Sequence, residues 1–302
     1  VAGGQERTLR RRIRTVQSTK KITRAMELIA ASQIVRAQNR IAANRPYRDG
    51  MARIIREAVA EDPTAAAKLL GTPEHPERVG VLCIVGDRGL SGAYNGSVLR
   101  STERLLAGLR RDGVGQVRLI TVGRKAPGYF RFRHQEVDRS FIGFSDRPTF
   151  ADAQEVARAV TLPFLADQLD QVLLVSTRFL SAARQSVETV QLLPLPTPEG
   201  GDEQDPAPSG AGGYTEFEPD VEFLLQGLTP RAVESEIFSA LLEGAASFHT
   251  AQQRAMAAAS DNADDLIRTL TRVMNRARQD AITTEIMEIV GGAEALRHSR
   301  GA

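Results

Sequence analysis

Gly86-Asp87-Arg88-Gly89-Leu90-Ser91-Gly92 follows directly on the apolar run Val79–Val85. A glycine-rich turn between a strand and a helix can bring backbone N–H groups close to a phosphate. The spacing here is G-x-x-G-x-x-G, however, not the dinucleotide fingerprint G-x-G-x-x-G, and no G-x-x-x-x-G-K-[ST] occurs in the chain. The turn therefore reads as a tight strand-to-helix connection. Ser91 lies in Leu90-Ser91-Gly92, which does not make a nucleophile elbow, and no histidine is assigned to it. The four histidines (His75, His134, His249, His298) are scattered without H-x-x-x-H spacing, and Cys83 stands alone. Inside an apolar run, that cysteine is expected to be a small buried hydrophobe. Asp261-Asn262-Ala263-Asp264-Asp265 lacks the central glycine and closing glutamate of a calcium loop and lies in a helical pattern, so it reads as a solvated or polar-contact helix face. The expectation is a chain with no catalytic residue, no cofactor site and no metal ligand.

The charge distribution is more informative. Lys and Arg total 39 against 37 Asp and Glu, a net of +2. Residues 1–60 hold 14 of the cations and 4 of the acids, so that stretch is +10 and the remainder −8. A long basic segment is a solvated helix face, a nucleic-acid surface, or a segment docked in an acidic protein collar. The second reading finds one aromatic, Tyr47, and no recognised binding module. One cysteine rules out an internal disulfide and suits a reducing compartment. No signal peptide is visible, and no apolar run approaches the roughly 20 residues of a membrane span.

Two long helical segments bracket a mixed region. The first runs from about Glu6 to about Ala60. Leu9, Ile13 and Val16 lie on one helix face, and Ile22, Met26 and Ile29 repeat their spacing after a one-residue drift of the seam. Pro46 is expected to kink this helix. The second opens at Thr229-Pro230, a good N-cap and first-turn pair, and runs to about Leu296. Leu266, Leu270, Val273 and Ala277, then Ile282, Ile286 and Ile289, mark its apolar face, with Gly291-Gly292 a weak point near the end. A helix of about 60 residues measures roughly 90 Å and needs a partner along its length. The first segment is the only one of comparable size, so the two are expected to pair antiparallel.

Between them, strands at Val79–Val85, Val117–Val122, Val172–Ser176 and Val187–Leu195 alternate with helices at Ser97–Arg111 and Ala151–Leu165. That order indicates a Rossmann-like three-layer α/β domain inserted between the helices of a coiled coil. Thr197–Gly213 is rich in proline, glycine and acid and reads as a mobile loop. The expected segments are an N-terminal helix over 1–62, the α/β domain over 77–196, the loop over 197–214 and a C-terminal helix over 215–302 that pairs with the first. From the residues alone, a structural subunit, a nucleotide-binding α/β enzyme and a basic coiled-coil nucleic-acid binder all stay open. Tight nucleotide binding would mark the second and steeply salt-dependent DNA affinity the third.

Lys20–Ser32 (KKITRAMELIAAS) resembles the N-terminal helix motif of ATP synthase gamma subunits. Asp87–Asn95 (DRGLSGAYN) is similar to that family's hallmark loop, Val122–Phe130 (VGRKAPGYF) also fits, and Arg276–Leu296 (RARQDAITTEIMEIVGGAEAL) resembles its C-terminal signature. The likeness is to bacterial, actinobacterial-type members and covers nearly the whole chain. It implies a central-stalk rotor without catalysis or cofactor. Two long helices would wind inside a ring of three alpha and three beta subunits, and the α/β domain would sit beside the epsilon subunit and the c-ring. No nucleic acid is implied, and the complex would lie at the cytoplasmic face of the cell membrane, with this chain peripheral. By motif position the resemblance assigns beta-subunit contacts to Lys20, Lys21, Arg24 and Met26 on the first helix and to Arg278, Gln279, Thr283 and Glu285 on the second. Two departures stand out: Ser91 where the hallmark loop often has cysteine, and Gln252 where the family often has arginine, with Arg254 close by. The redox cysteine pair of chloroplast members is absent.

Overall fold

The computed structural model describes residues 2–62, 73, 75–196 and 220–299. The mobile loop expected over 197–214 lies outside the described residues. Ten elements follow in order: α1 (Ala2–Glu61), β1 (Arg78–Ile84), α2 (Tyr94–Arg111), β2 (Gln116–Val122), α3 (Lys125–Phe132), β3 (Arg139–Phe141), α4 (Phe150–Leu165), β4 (Gln171–Phe179), β5 (Gln185–Leu193) and α5 (Val221–Ser299). Contacts divide the chain into two compact units, residues 31–252 and residues 1–30 with 253–302.

In the first unit the strands form one sheet in the order β3-β2-β1-β4-β5. The first four are parallel and β5 returns antiparallel beside β4. β1 is apolar nearly throughout because both faces of a central parallel strand are covered. Its alternate side chains feed two cores. Leu82 and Ile84 join Ile120, Val122 and Leu174 against Met51 and Ile55 of α1, Val156 and Val160 of α4, and Ile237 and Leu241 of α5. Val81, Cys83 and Val85 face the other way, against Val98 and Leu106 of α2 and Phe130 of α3. The three layers match the sequence expectation. Helix α4 is fixed at its start by a capping box, in which Thr149 and Asp152 exchange hydrogen bonds with each other's backbone N–H.

The second unit is a pair of antiparallel helix segments. Buried and partly buried positions include a series on α1 spaced alternately by 4 and 3, Leu9, Ile13, Val16, Lys20, Thr23, Glu27 and Ala30, flanked by partly buried Met26. A matching series runs along α5 at Met256, Ser260, Ala263, Ile267, Leu270, Met274 and Ala277, flanked by partly buried Asp264 and Thr271. This is the heptad period of a left-handed coiled coil. Two cross-helix contacts set the register: Lys20 Nζ lies 2.5 Å from Asp264 Oδ1, and the Thr23 and Ser260 hydroxyls lie 2.7 Å apart. The lower number on one helix meets the higher on the other, so the strands of the pair run in opposite directions.

Several sequence expectations are corrected. The seam of α1 does not drift. Ile22 and Ile29 are 58% and 60% exposed, and the seam passes instead through Lys20, Thr23 and Glu27. Lys20 and Thr23 keep the heptad phase through polar partners on α5, Asp264 and Ser260, while Glu27 is held by Arg24 of its own helix. On α5, Leu270 and Ala277 belong to the seam, whereas Leu266 and Val273 are exposed. Helix α5 starts at Val221, not at Thr229. Asp220 accepts the Phe223 N–H at 2.7 Å, the bond an N-cap makes, while the Thr229 hydroxyl donates to the Leu225 carbonyl inside the helix. Helix α1 is continuous through Pro46. The short elements α3 and β3 were not among the expected ones.

Candidate functional site

The glycine-rich turn is a structural clamp. Asp87 accepts hydrogen bonds from the N–H groups of Arg124, Gly143 and Ser145, each at 3.0 Å, and from the Ser145 hydroxyl at 2.8 Å. Partial burial alone would raise the pKa of this carboxyl, but those four donors outweigh it and hold the group below the usual aspartate range. Asn95 works from the other side. It accepts the Gly86 N–H at 2.8 Å and donates to the Arg88 carbonyl at 3.0 Å. One glycine in this region is obligatory: Gly123 has φ +96°, and a Cβ there would lie 2.2 Å from the Val85 carbonyl oxygen.

In doubly wound sheets, ligands enter the crevice beyond the carboxyl ends of the strands where the strand order reverses. Here that place is beside β1, and aromatic rings fill it. Tyr94 and Phe248 meet edge to face with centroids 5.7 Å apart. A Cβ on Gly86 would come within 3.1 Å of the Phe248 ring, and one on Gly244 within 3.2 Å of the Tyr94 hydroxyl. Ser91 is buried and receives a hydrogen bond from Asn95 at 3.3 Å. Cys83 is fully buried, and burial pushes its thiol up to about 12. No group of three or more His, Cys, Asp and Glu side chains that could hold a metal occurs among the described residues. No described helix is long and apolar enough to cross a membrane.

The helix pair presents a different kind of surface. Its register matches position n of α1 with about 283 minus n on α5, so Ala2 falls opposite Ala281. Toward the C-terminal end of α5, Ile282, Ile286, Met287, Ile289 and Val290 are all exposed. A second exposed apolar strip, Ile22, Leu28 and Ile29, lies on α1 outside the seam.

A family model described as ATP synthase matches residues 5–296. The ATP synthase gamma chain of Parafrankia sp. is 48% identical over 297 residues, covering 97% of this chain and 98% of the relative. That of Frankia casuarinae is 48% identical over 299 residues with the same coverage. The chain belongs to the ATP synthase gamma chain family. Among solved structures, a chain of the Tetrahymena thermophila mitochondrial ATP synthase central stalk and c-ring shares the fold with a TM-score of 0.61 at 22% identity, over 79% of this chain and 99% of that one. A chain from the rotor of the Euglena gracilis mitochondrial ATP synthase gives 0.63 at 16% identity, over 93% and 99%.

The residues assigned by likeness to gamma chains do not form one patch. Lys20 is half-buried in the seam and tied to Asp264, whereas Lys21 is exposed. Arg24 is exposed and gives two 2.8 Å hydrogen bonds to Glu27 of its own helix, while Met26 is half-buried at the seam's edge. Arg278, Gln279, Thr283 and Glu285 are exposed, with the Thr283 hydroxyl donating to the Gln279 carbonyl. By the register, Arg24 faces a point about 19 residues before Arg278, roughly 28 Å along the axis. The two groups lie at separate levels of the helix pair. The apolar spacing of Ile282, Ile286 and Ile289 was legible in the sequence, whereas the exposure of all three is shown only by the structure.

Proposed function

We propose that the chain is the central-stalk rotor subunit of an F-type ATP synthase. Residues 1–62 and 215–302 serve as its shaft, and 77–196 form the α/β domain beside the epsilon subunit and the c-ring. The shaft turns inside three alpha and three beta subunits, with the complex at the cytoplasmic face of the cell membrane and this chain peripheral to it. Membership of the gamma chain family supports the reading, and the observation that carries it is the helix pair itself. A continuous heptad seam gives stiffness. Its unequal faces, with exposed apolar strips and one basic stretch, give the asymmetry a rotor needs.

The mechanism is population shift. Each shaft orientation offers different contacts to the three beta subunits, so each orientation favours a different conformation of each. Proton flow through the c-ring turns the shaft and drives synthesis, and hydrolysis turns it the other way. Lys21 and Arg24 at one level and Arg278, Gln279, Thr283 and Glu285 at the other are the proposed beta contacts. Lys20 and Met26 support them from the seam. The chain supplies no reacting group. Affinity purification of the tagged chain under mild conditions is expected to bring down two larger partners in a ratio of three, three and one. Recovery of the chain alone, or as a homodimer, contradicts the proposal.

A further inference from the structure

A cavity of about 190 Å³ opens between α1, the loop before α4, and α5, and all of its walls belong to the unit of residues 31–252. Three cations line it: Arg36 and Arg40 from α1, and Arg147 from the loop. Arg40 is held in place by donating to the Pro148 carbonyl. Neither Arg36 nor Arg147 has an ion-pair partner among the described residues. Arginines converging on a small cavity suit an oxyanion, because the guanidinium fork matches its oxygens.

Two further groups narrow the chemistry. His249 also lines the cavity, is 7% exposed, and leaves its Nδ1 buried without a hydrogen-bond partner. Asp146 lines it too. Its Oδ2 meets Arg88 at 3.2 Å, but its Oδ1 is buried and has no partner. Buried polar atoms without partners are uncommon, and each costs stability until it is satisfied. A bare carboxylate oxygen accepts and cannot donate. It repels an anion with no proton and welcomes one that carries a proton. At neutral pH inorganic phosphate keeps at least one proton, and sulfate keeps none. The volume sets a second limit. It exceeds the roughly 30 Å³ share of a single water but falls below the roughly 300 Å³ at which drug-sized ligand pockets begin. Its size suits a single tetrahedral oxyanion.

We propose that this cavity binds inorganic phosphate in a protonated form, with Arg36, Arg40 and Arg147 on its oxygens, Asp146 accepting its proton-borne hydrogen bond, and His249 Nδ1 as a further partner. The site is separate from the residues proposed to touch beta subunits and does not depend on the rotor reading.

The test is calorimetry on the purified full chain at neutral pH and constant ionic strength, titrated with phosphate, sulfate and ADP. Phosphate is expected to bind at least about tenfold more tightly than sulfate, since a site built for a hydrogen bond rejects the analogue that cannot make it. Arg40→Gln is expected to weaken phosphate by at least about tenfold, and Asp146→Asn to bring phosphate and sulfate close to parity. Nitrogen NMR of the His249 ring gives a second readout on the wild-type chain, with its signals moving over the same phosphate concentrations. If Asp146→Asn does not fold, the wild-type comparison of phosphate with sulfate and the His249 signals still decide. Equal affinity for phosphate and sulfate, no binding at millimolar phosphate, tighter binding of ADP than of phosphate, or a silent His249 ring overturns the proposal.

Discussion

At the residue scale, much of what looked like chemistry in the hallmark loop is architecture. Asp87 joins three backbone segments through four hydrogen bonds. Its folded pKa is depressed, so its stabilisation is fully present above its unfolded value, about 3.9. That stabilisation is lost as pH falls through the lower folded value. Asp87→Asn is therefore expected to lower stability at pH 7, with the gap to wild type closing below about pH 4, as read by denaturant unfolding across pH. The glycines divide the same way. Gly123→Ala forces a Cβ to 2.2 Å from a carbonyl oxygen at positive φ, and is expected to cost roughly 2–4 kcal/mol. At Gly89 the nearest atom would be 3.7 Å away, on the Lys125 side chain, so Gly89→Ala is expected to stay within about 0.5 kcal/mol. Equal denaturation midpoints for the two would contradict this account. The sequence showed that the loop lacked a phosphate-binding spacing. It did not show that Tyr94 and Phe248 fill the crevice, because Phe248 comes from a helix 150 residues downstream in the chain.

At the scale of elements, the strands and long helices were legible because their periodicities differ, and continuous apolar runs are typical of buried parallel strands. The seam of α1 was legible only as far as Val16. Beyond it the heptad runs through Lys20, Thr23 and Glu27, and a search for apolar spacing moved to Ile22 and Ile29 instead. Those polar contacts bring little stability. Lys20 and Asp264 are each more than a third exposed, so their pair is worth at most about 1 kcal/mol. Their role is to fix register. Ala30 tests the seam directly because it is fully buried at a seam position, next to the exposed Ile29. Ala30→Leu is expected to cost about 1–3 kcal/mol through overpacking, whereas Ile29→Ser is expected to stay within about 0.5 kcal/mol in the isolated chain. Thermal unfolding of both variants checks the assignment, and a reversed order would restore the drifting seam.

At the scale of the whole molecule, the charge asymmetry is +10 in residues 1–60 against −8 in the rest, and it is met partly within the chain, by Asp264 on Lys20 and by Glu236 and Glu243 on Arg48. The proposed beta contacts can be tested through charge. Arg24→Glu combined with Arg278→Glu reverses charge at both levels of the helix pair. Since one exposed ion pair contributes about 0–1 kcal/mol, a single Lys20→Glu is expected to be mild. The double variant is expected to assemble yet pump fewer protons per ATP hydrolysed in reconstituted vesicles. An unchanged ratio would reduce these arginines to a solvated face.

Rotation itself is the central claim, and it is open to direct observation. Phe132 is 79% exposed, so Phe132→Cys offers a point for attaching a bead, and buried Cys83, with its raised pKa, does not compete for the label. With this chain assembled into its alpha and beta partners and the ring fixed to a surface, ATP is expected to drive the bead continuously in one direction, pausing at three positions per turn, one for each beta subunit. A bead that stays still while the same assembled complexes hydrolyse ATP would contradict the account.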